Sequence, residues 1–341
     1  MAATSLIPVA LSVGVAILVV SLTALAGPVA RRYGRARRPV VVVAAALALL
    51  LEPARAAIGL THVDLVLFGL VVADLVALRR SAWARTRATW WPGTARGGRW
   101  RRIWSTGAWA GAGIGLASAL APVTLLFVVF LGLTRQWRAA LTALTTTAVL
   151  LGAAWLVAPG ATSARLWPGF DRGDPLDSPA NQSLAGVLAR LYDSTSTPVL
   201  VWLSFAVLLL AVGLIRARSA HADGDEIAAF TLVGLAGAAV CPVTSSNELL
   251  WVLPAILILV DAAARQRADP RRLSGLGPLV AAAVVALVFA LPPVGNLYAI
   301  TVIVLLNALP WRPAAPVRRR PPPVPATAVR RVPSIPGPRG S

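Results

Sequence analysis

Apolar runs about as long as a bilayer is thick recur along this chain, and clusters of arginine separate them. The first run, Leu6–Ala26, is close to the ~20 residues that a helix needs to cross the hydrocarbon core. Of the 341 residues, 57% are hydrophobic and 13% are charged, which is the composition of a polytopic membrane protein. The sequence therefore predicts an all-α, integral membrane helical bundle of about eight to ten spans. We expect Leu6–Ala26 to be a retained span and not a cleaved signal.

The arginine clusters predict how the chain is threaded through the membrane. All 32 basic residues are Arg and the net charge is +19. Under the positive-inside rule, every cluster is placed in the cytoplasm, with the N-terminus outside and the C-terminal tail inside. Nucleic-acid binding is the alternative, but the arginines are divided among loops between spans, so no nucleic-acid partner is expected.

The same rule divides the chain into spans and loops. The predicted spans are Leu6–Ala26, Pro39–Leu60, His62–Leu78, Ala139–Val157, Pro198–Ile215, Ile227–Val240, Leu249–Ala262, Leu276–Leu291 and Leu297–Leu309. Residues 1–309 form one membrane domain, with outer loops at about 159–197 and 241–248. The tail 310–341 is rich in Pro and Arg and is predicted to be disordered at the cytoplasmic surface.

Gly107–Leu133 does not fit this alternation, because arginines flank it on both sides. Ala121-Pro122 lies in its middle, and proline breaks or kinks a helix. We predict two short helices that enter and leave on the cytoplasmic side, an arrangement that needs protein or a cavity around the freed backbone groups. One long kinked span is the alternative.

Carboxylates are concentrated on the predicted outer side. Asp171, Asp174 and Asp177 fall in the long outer loop, and Glu248 lies in the later one. These acids are either tolerated there or mark a site at the outer face. Glu248 is closest to the start of a span, where it could accept a proton or favourably oppose a helix dipole.

Other polar residues give weaker indications. Glu52 and Arg55 interrupt an apolar run, so they either pair with each other or face a ligand. Asn181-Gln182-Ser183-Leu184 is an uncharged polar stretch in the long outer loop, suited to hydrogen bonds with a sugar or a phosphate. A single cysteine and two distant histidines offer no cluster for a metal, so neither a metal nor a cofactor is expected.

An ordered set of motifs resembles glycosyltransferase family 87, in the C-type glycosyltransferase class. The set consists of Glu52-Pro53 with Gly59 and Val63, Gly113–Pro122 with Arg135-Gln136-Trp137-Arg138-Ala139, Asn181-Gln182-Ser183-Leu184 with Gly186 and Arg190, and Pro242 with Trp251 and Pro254. The resemblance runs from about Leu6 to Leu309.

The resemblance implies a function and a set of site residues. Members of the family are polytopic enzymes that use polyprenyl-phosphate sugars, and the best-known ones are actinobacterial mannosyltransferases. We therefore expect transfer of a hexose, with mannose favoured, from a polyprenyl-phosphate donor to an envelope glycolipid or glycan at the outer face of a bacterial plasma membrane. Asn181, Gln182, Ser183 and Arg190 are expected to bind sugar or phosphate, together with Asn247 and Glu52. Glu248 is the first candidate for the base, with Asp171, Asp174 and Asp177 behind it.

Three departures from the family pattern keep a second function open. The later turn usually carries a His pair where this chain has Asn247 and Glu248, and a Lys usually stands at the position of Ala119. The family also begins with a further span and a large outer loop holding an acidic residue regarded as catalytic, which we do not find before Leu6. We expect either a native start further upstream or a relative that has lost or relocated its base. The alternatives to transfer are an inactive member that binds lipid-linked glycans or partners an active transferase, and, less favoured, a transporter.

Overall fold

A computed structural model of the chain describes residues 2–59, 63–90, 106–158, 176–193, 198–268 and 276–313. Regular structure in these ranges is helical throughout. The α-helices are α1 (Ala2–Arg32), α2 (Arg37–Leu50), α3 (Glu52–Gly59), α4 (Val63–Trp90), α5 (Ala112–Leu120), α6 (Leu125–Leu133), α7 (Trp137–Val157), α8 (Leu184–Leu191), α9 (Val199–Ala222), α10 (Glu226–Val240), α11 (Val252–Ala268), α12 (Leu276–Ala290) and α13 (Leu297–Ala308). Two 3₁₀ helices, Pro122–Thr124 and Ser246–Trp251, precede α6 and α11.

Several of these helices are long and apolar enough to cross a membrane. Within the described ranges, four helical stretches have the length and the apolar composition of a membrane span: Leu11–Arg32, Trp137–Val157, Val199–Ala222 and Ser246–Arg267. The pair α2 and α3 adds a fifth candidate, bent by 79° at Leu51. Pro122–Leu133, α10, α12 and α13 are shorter apolar helices. The predicted all-α polytopic bundle is confirmed. The predicted spans also include α4 and the shorter helices α10, α12 and α13, whereas Pro122–Leu133 belongs to the predicted hairpin.

Residues from distant parts of the chain meet at one end of the bundle, which we call the arginine-rich end. The Tyr33 hydroxyl donates to Oδ1 of Asp261 over 3.1 Å. Arg312 forms an ion pair with the same carboxylate at 3.4 Å. Arg79 lies 3.7 Å from Glu226. The loops and helix ends that the arginine pattern assigns to one side therefore lie together.

The other end of the bundle, which we call the loop end, comprises residues 52–59, 176–190, 241–251 and 290–296. Contacts between the loops join these segments: Gln182 donates to the carbonyl of Gly295, and Arg55 donates to the carbonyl of Ala290. The two ends thus separate the loops as the sequence predicts. Which end faces the cytoplasm stays a prediction.

The segment between α4 and α7 forms the predicted hairpin of two short helices. A β-carbon on Gly111 would lie 2.1 Å from the carbonyl oxygen of Ala139, and one on Gly115 would lie 2.5 Å from that of Ala143. Successive turns of α5 therefore advance along α7 in the same direction. After the break at Pro122, α6 returns and joins α7 through residues 134–136. Both ends of the hairpin lie where α7 begins, which one long kinked span would not produce.

Asp74 fixes the hairpin to α4, a role that the sequence does not predict. Its position near a helix end suggests a solvated carboxylate or one paired with arginine, and that expectation is wrong. The residue is fully buried, and Oδ2 accepts a hydrogen bond from the backbone N–H of Ile114 over 2.6 Å. Since the first N–H groups of a helix have no partner within it, Asp74 supplies an acceptor for the first turn of α5.

The beginning of the predicted disordered tail is packed against the arginine-rich end. The Trp311 indole N–H donates to Asp223 over 2.8 Å, and the Arg312 backbone N–H donates to Asp225 over 3.0 Å. The packed part of the chain therefore extends beyond residue 309. Residues 314–341, for which disorder is predicted, lie outside the described residues.

Candidate functional site

A cavity of about 730 Å³ lies beneath the loop end, between α4, the hairpin, α9, α10 and the turn that precedes α11. Its walls are mostly apolar and include Leu67, Val71, Leu126 and Val233. Asp64 and Glu248 also line it. An apolar cleft that carries a few polar groups is the usual form of a small-molecule site.

Asp64 is held at the cavity by a residue far away in the chain. It lies in the first turn of α4 and is half-buried. Asn247, which is 183 positions later, donates from Nδ2 to Oδ2 of Asp64 over 2.5 Å. A hydrogen bond to an ionised group is shorter and stronger than one between neutral groups. The amide thus restricts the orientation of the carboxylate.

Glu248 lies next to Asn247 in the 3₁₀ helix Ser246–Trp251 and also lines the cavity. The Ser245 hydroxyl donates to its Oε1 over 3.5 Å, a long hydrogen bond. The structure therefore places the predicted base at the cavity. It also brings a second carboxylate, Asp64, to the same cavity.

Aromatic rings form the wall below the two carboxylates. Trp251 lies between Phe68 and Phe127, with ring centroids 5.1 Å and 5.2 Å away. Gly234 of α10 accommodates the indole, since a β-carbon there would lie 2.1 Å from Cδ2 of Trp251. The position of Trp251 in the apolar wall therefore requires a glycine at position 234 of the neighbouring helix α10.

The broken hairpin supplies further residues of the cavity wall. Pro122 and Thr124 line the cavity, and the Thr124 hydroxyl donates to the carbonyl of Ala121 over 2.7 Å. That bond satisfies one carbonyl at the break. Protein and cavity thus surround the interrupted backbone, as a helix broken inside a membrane requires.

One side of the cavity faces the outer surface of the bundle. Val123 and Val129 of the hairpin line the cavity and are 41% and 51% exposed. Trp202 and Leu210 of α9 also line the cavity. Only 11% of the most apolar stretch of α9 is buried inside the protein. The opening beside this helix therefore faces the region where lipid would lie.

Asn181, Gln182 and Ser183 do not line the cavity, and their side chains point into the protein. All three are at most 3% exposed. Asn181 Nδ2 donates to the carbonyls of Leu176 and Pro242, while its Oδ1 accepts from the backbone N–H of Thr244 over 3.1 Å. These bonds attach the loop that begins at residue 176 to the turn 241–245, because buried carbonyls in irregular backbone need donors.

The two following residues extend this connection. Gln182 Nε2 donates to Gly295 over 3.0 Å, and the Ser183 hydroxyl donates to Pro242 over 2.8 Å. The same hydroxyl accepts from the Gly186 backbone N–H over 3.1 Å, which caps the N-terminus of α8. We call Asn181, Gln182, Ser183 and Arg190 the amide clamp.

Arg190 completes the amide clamp. Its Nε donates to Oδ1 of Asn296 over 2.6 Å, and Nη1 donates to the carbonyls of Ser178 and Asn181 over 2.8 Å and 3.0 Å. Burial lowers the pKa of the Arg190 guanidinium, and the negative charge of Asp177 opposes that shift. The planar fork of donors therefore joins two segments of the loop end, 176–190 and 290–296.

The remaining predicted site residues lie away from the cavity or outside the described residues. Glu52 pairs with Arg55 at 2.8 Å and does not line the cavity, in agreement with the pairing interpretation. Asp177 interacts with Arg190 and also does not line the cavity. Asp171 and Asp174 lie outside the described residues.

Asp64 is the site residue that the sequence alone does not identify. Its only sequence signal is a carboxylate at the beginning of a helix on the side of the outer loops. That signal is shared by acids that have no role. Asn247 comes within hydrogen-bonding distance of Asp64 because the 3₁₀ helix Ser246–Trp251 packs against α3 and α4, a contact that the sequence does not reveal.

Negative charge dominates the cavity. None of the described residues that line it is Arg or His. Within the described ranges, no group of three or more His, Cys, Asp or Glu side chains is arranged to hold a metal ion. The described walls therefore provide proton acceptors and apolar contacts.

Comparisons with known proteins place the chain in a family. The sequence model of glycosyltransferase family 87 matches residues 1–246. The polyprenol-phosphate-mannose-dependent alpha-(1-2)-phosphatidylinositol mannoside mannosyltransferase of Mycobacterium tuberculosis is 29% identical over 225 residues, covering 64% of this chain and 46% of that protein. The protein of the same description from Mycolicibacterium smegmatis is 28% identical over 228 residues, with the same coverage of 64% and 46%.

This chain therefore spans about half the length of the curated relatives that it matches. No solved structure matches it. The family match covers more than half of the chain and includes the hairpin, the amide clamp and most of the cavity wall. The predicted resemblance is confirmed, and this multi-pass membrane protein belongs to glycosyltransferase family 87.

Proposed function

We propose that the protein transfers a hexose, with mannose favoured, from a polyprenyl-phosphate donor to a hydroxyl of an envelope glycolipid or glycan. The observation that carries this proposal is the juxtaposition of two carboxylates and an apolar cavity that opens sideways. The curated relatives are described as polyprenol-phosphate-mannose-dependent mannosyltransferases, which supports the choice of donor and sugar.

The shape of the cavity suits a lipid-linked sugar. A polyprenyl chain can enter from the bilayer through the opening between the hairpin and α9, where Val123 and Val129 are exposed. Apolar walls bury the first isoprene units, at roughly 25 cal/mol for each Å² removed from water. The sugar then lies toward the loop end, where the carboxylates of Asp64 and Glu248 line the cavity.

The amide clamp takes a supporting role in this proposal. Its side chains donate to backbone carbonyls of three outer segments and not toward the cavity. We propose that the clamp holds the later turn, and with it Glu248, at the cavity. Direct contact of Asn181, Gln182, Ser183 or Arg190 with sugar or phosphate would require a rearrangement of these bonds. Glu52, paired with Arg55, would likewise have to leave its partner.

The site is proposed to lie at the outer face of the plasma membrane, with the arginine-rich end in the cytoplasm. The positive-inside rule supports this orientation. The envelope acceptor would then approach the loop end from outside, while the donor arrives from within the bilayer.

A bulky side chain at the opening tests the cavity assignment. Val123→Trp narrows the cavity and should lower both affinity for a short-chain polyprenyl phosphate and transfer of labelled mannose. Val149→Trp is the matched control, because Val149 is 68% exposed in α7 and does not line the cavity. Equal effects of the two variants would contradict the assignment.

A family member that binds lipid-linked glycans without turnover is the second candidate. It is favoured by the charge of the described cavity walls, which carry two carboxylates and neither Arg nor His to stabilise a departing phosphate. Binding of polyprenyl-phosphate mannose without loss of its sugar to any acceptor would support this second function.

A further inference from the structure

Asp64 is a cavity carboxylate whose orientation is restricted by a short hydrogen bond. Its Oδ2 accepts from Nδ2 of Asn247 over 2.5 Å. A general base must be held within hydrogen-bonding reach of the proton that it removes.

The second oxygen of the Asp64 carboxylate, Oδ1, makes no hydrogen bond to a described residue, and the side chain lines the cavity. Asp64 also lies in the first turn of α4, at the end of that helix nearest Asn247. Oδ2 thus orients the carboxylate, and Oδ1 is the oxygen that we assign to a ligand in the cavity.

We infer that Asp64 is the proton acceptor of the transfer reaction and that Asn247 is its positioning residue. This inference rests on the proposed function. In the step, the acceptor hydroxyl oxygen forms a bond to the anomeric carbon of the sugar, and the bond from that carbon to the phosphate oxygen breaks. The electron pair leaves with the polyprenyl phosphate. The hydroxyl proton passes to Oδ1 of Asp64 and is later released to water.

Glu248 has a different task in this assignment. It lines the same cavity and follows Asn247 directly in the chain. Its carboxylate accepts hydrogen bonds from sugar hydroxyls, so it contributes to binding and to the choice of sugar. Loss of Glu248 should therefore raise KM more than it lowers kcat.

The test uses the purified full chain in lipid nanodiscs, with short-chain polyprenyl-phosphate [14C]mannose as donor and phosphatidylinositol mannosides as acceptor. Transfer of label and equilibrium binding of the donor are measured separately. Asp64→Asn should reduce kcat at least ~100-fold, the lower end of general-base contributions, and should leave donor binding within about twofold. Asp193→Asn, at an exposed position just after α8, is the control and should behave like the unmodified protein.

Variants of Asn247 distinguish a role in positioning Asp64 from a role in stability, because only the former changes kcat at constant KM. Asn247→Ala should lower kcat with KM unchanged, and Asn247→His, which keeps an N–H donor, should restore part of kcat. Asp64→Asn with unchanged kcat would overturn the assignment while leaving the proposed function intact. Donor binding without transfer by the unmodified protein would overturn both, so the two failures are distinguishable.

Discussion

The indole ring of Trp251 occupies the space above Gly234, so closely that a β-carbon on Gly234 would lie 2.1 Å from Cδ2 of the ring. Both residues line the cavity. The contact joins the turn that carries Asn247 and Glu248 to the interior of α10. The position of the polar end of the cavity therefore depends on a glycine in a helix that is otherwise tightly packed.

Gly234→Ala should displace Trp251 and destabilise the protein, because a methyl group there overlaps the ring. Overpacking of this kind costs about 1–3 kcal/mol. Thermal unfolding in detergent should show a lower Tm. Gly152→Ala is the control, since nothing lies within 4 Å of a β-carbon at Gly152, and its Tm should be unchanged or higher. An unchanged Tm for Gly234→Ala would show that the contact is not as close as described.

The grouping of the loops at two ends and the hairpin were accessible from the sequence because they depend on local signals. Arginine clusters mark the loops of one end, and Pro122 between flanking arginines indicates a broken helix. The Glu52–Arg55 pair follows from helical spacing alone and is observed at 2.8 Å. Each of these features needs information from a few neighbouring residues.

Other features depend on tertiary packing and were not accessible. Asp64 and Asn247 are 183 positions apart, and no local pattern brings them together. The amide clamp looks like a ligand site because its residues are polar and uncharged. Their inward direction is set by the buried carbonyls of Pro242 and Gly295, which lie in other loops.

Asp74→Leu should destabilise the hairpin more than Asp74→Asn does. Leucine leaves the buried N–H of Ile114 without an acceptor, which costs about 1–3 kcal/mol, whereas the asparagine carbonyl can still accept. Chemical unfolding and limited proteolysis of the two variants measure the difference. Asp64→Asn serves as control, because it should lose activity without loss of stability. Equal stability of both Asp74 variants would contradict the capping role.

Arg190→Lys should be nearly as harmful to the loop end as Arg190→Gln. Lysine keeps the charge, but one ammonium group cannot reach Asn296, Ser178 and Asn181 together. Both variants should increase proteolytic cleavage at the loop end by a similar factor. If Arg190 instead balanced phosphate charge directly, lysine would retain donor affinity that glutamine loses, and the clamp assignment would be wrong.

The two ends of the bundle should be distinguishable by labelling in intact cells. In a Cys241→Ser background, Ala180→Cys at the loop end should react with a membrane-impermeant maleimide added outside. Arg218→Cys, in the last turns of α9, should react only after the membrane is permeabilised. Both positions are exposed. The reverse pattern would place the site in the cytoplasm and would contradict the proposed orientation.

The most direct test of the account is whether the purified protein moves a sugar from lipid-linked donor to acceptor. Mass spectrometry of the acceptor lipid after incubation with polyprenyl-phosphate mannose measures this without a label. We predict an acceptor heavier by one hexose, formed by the unmodified protein and by Val149→Trp, and strongly reduced with Val123→Trp. An unmodified acceptor alongside bound, unconsumed donor would contradict transfer and support the glycan-binding function.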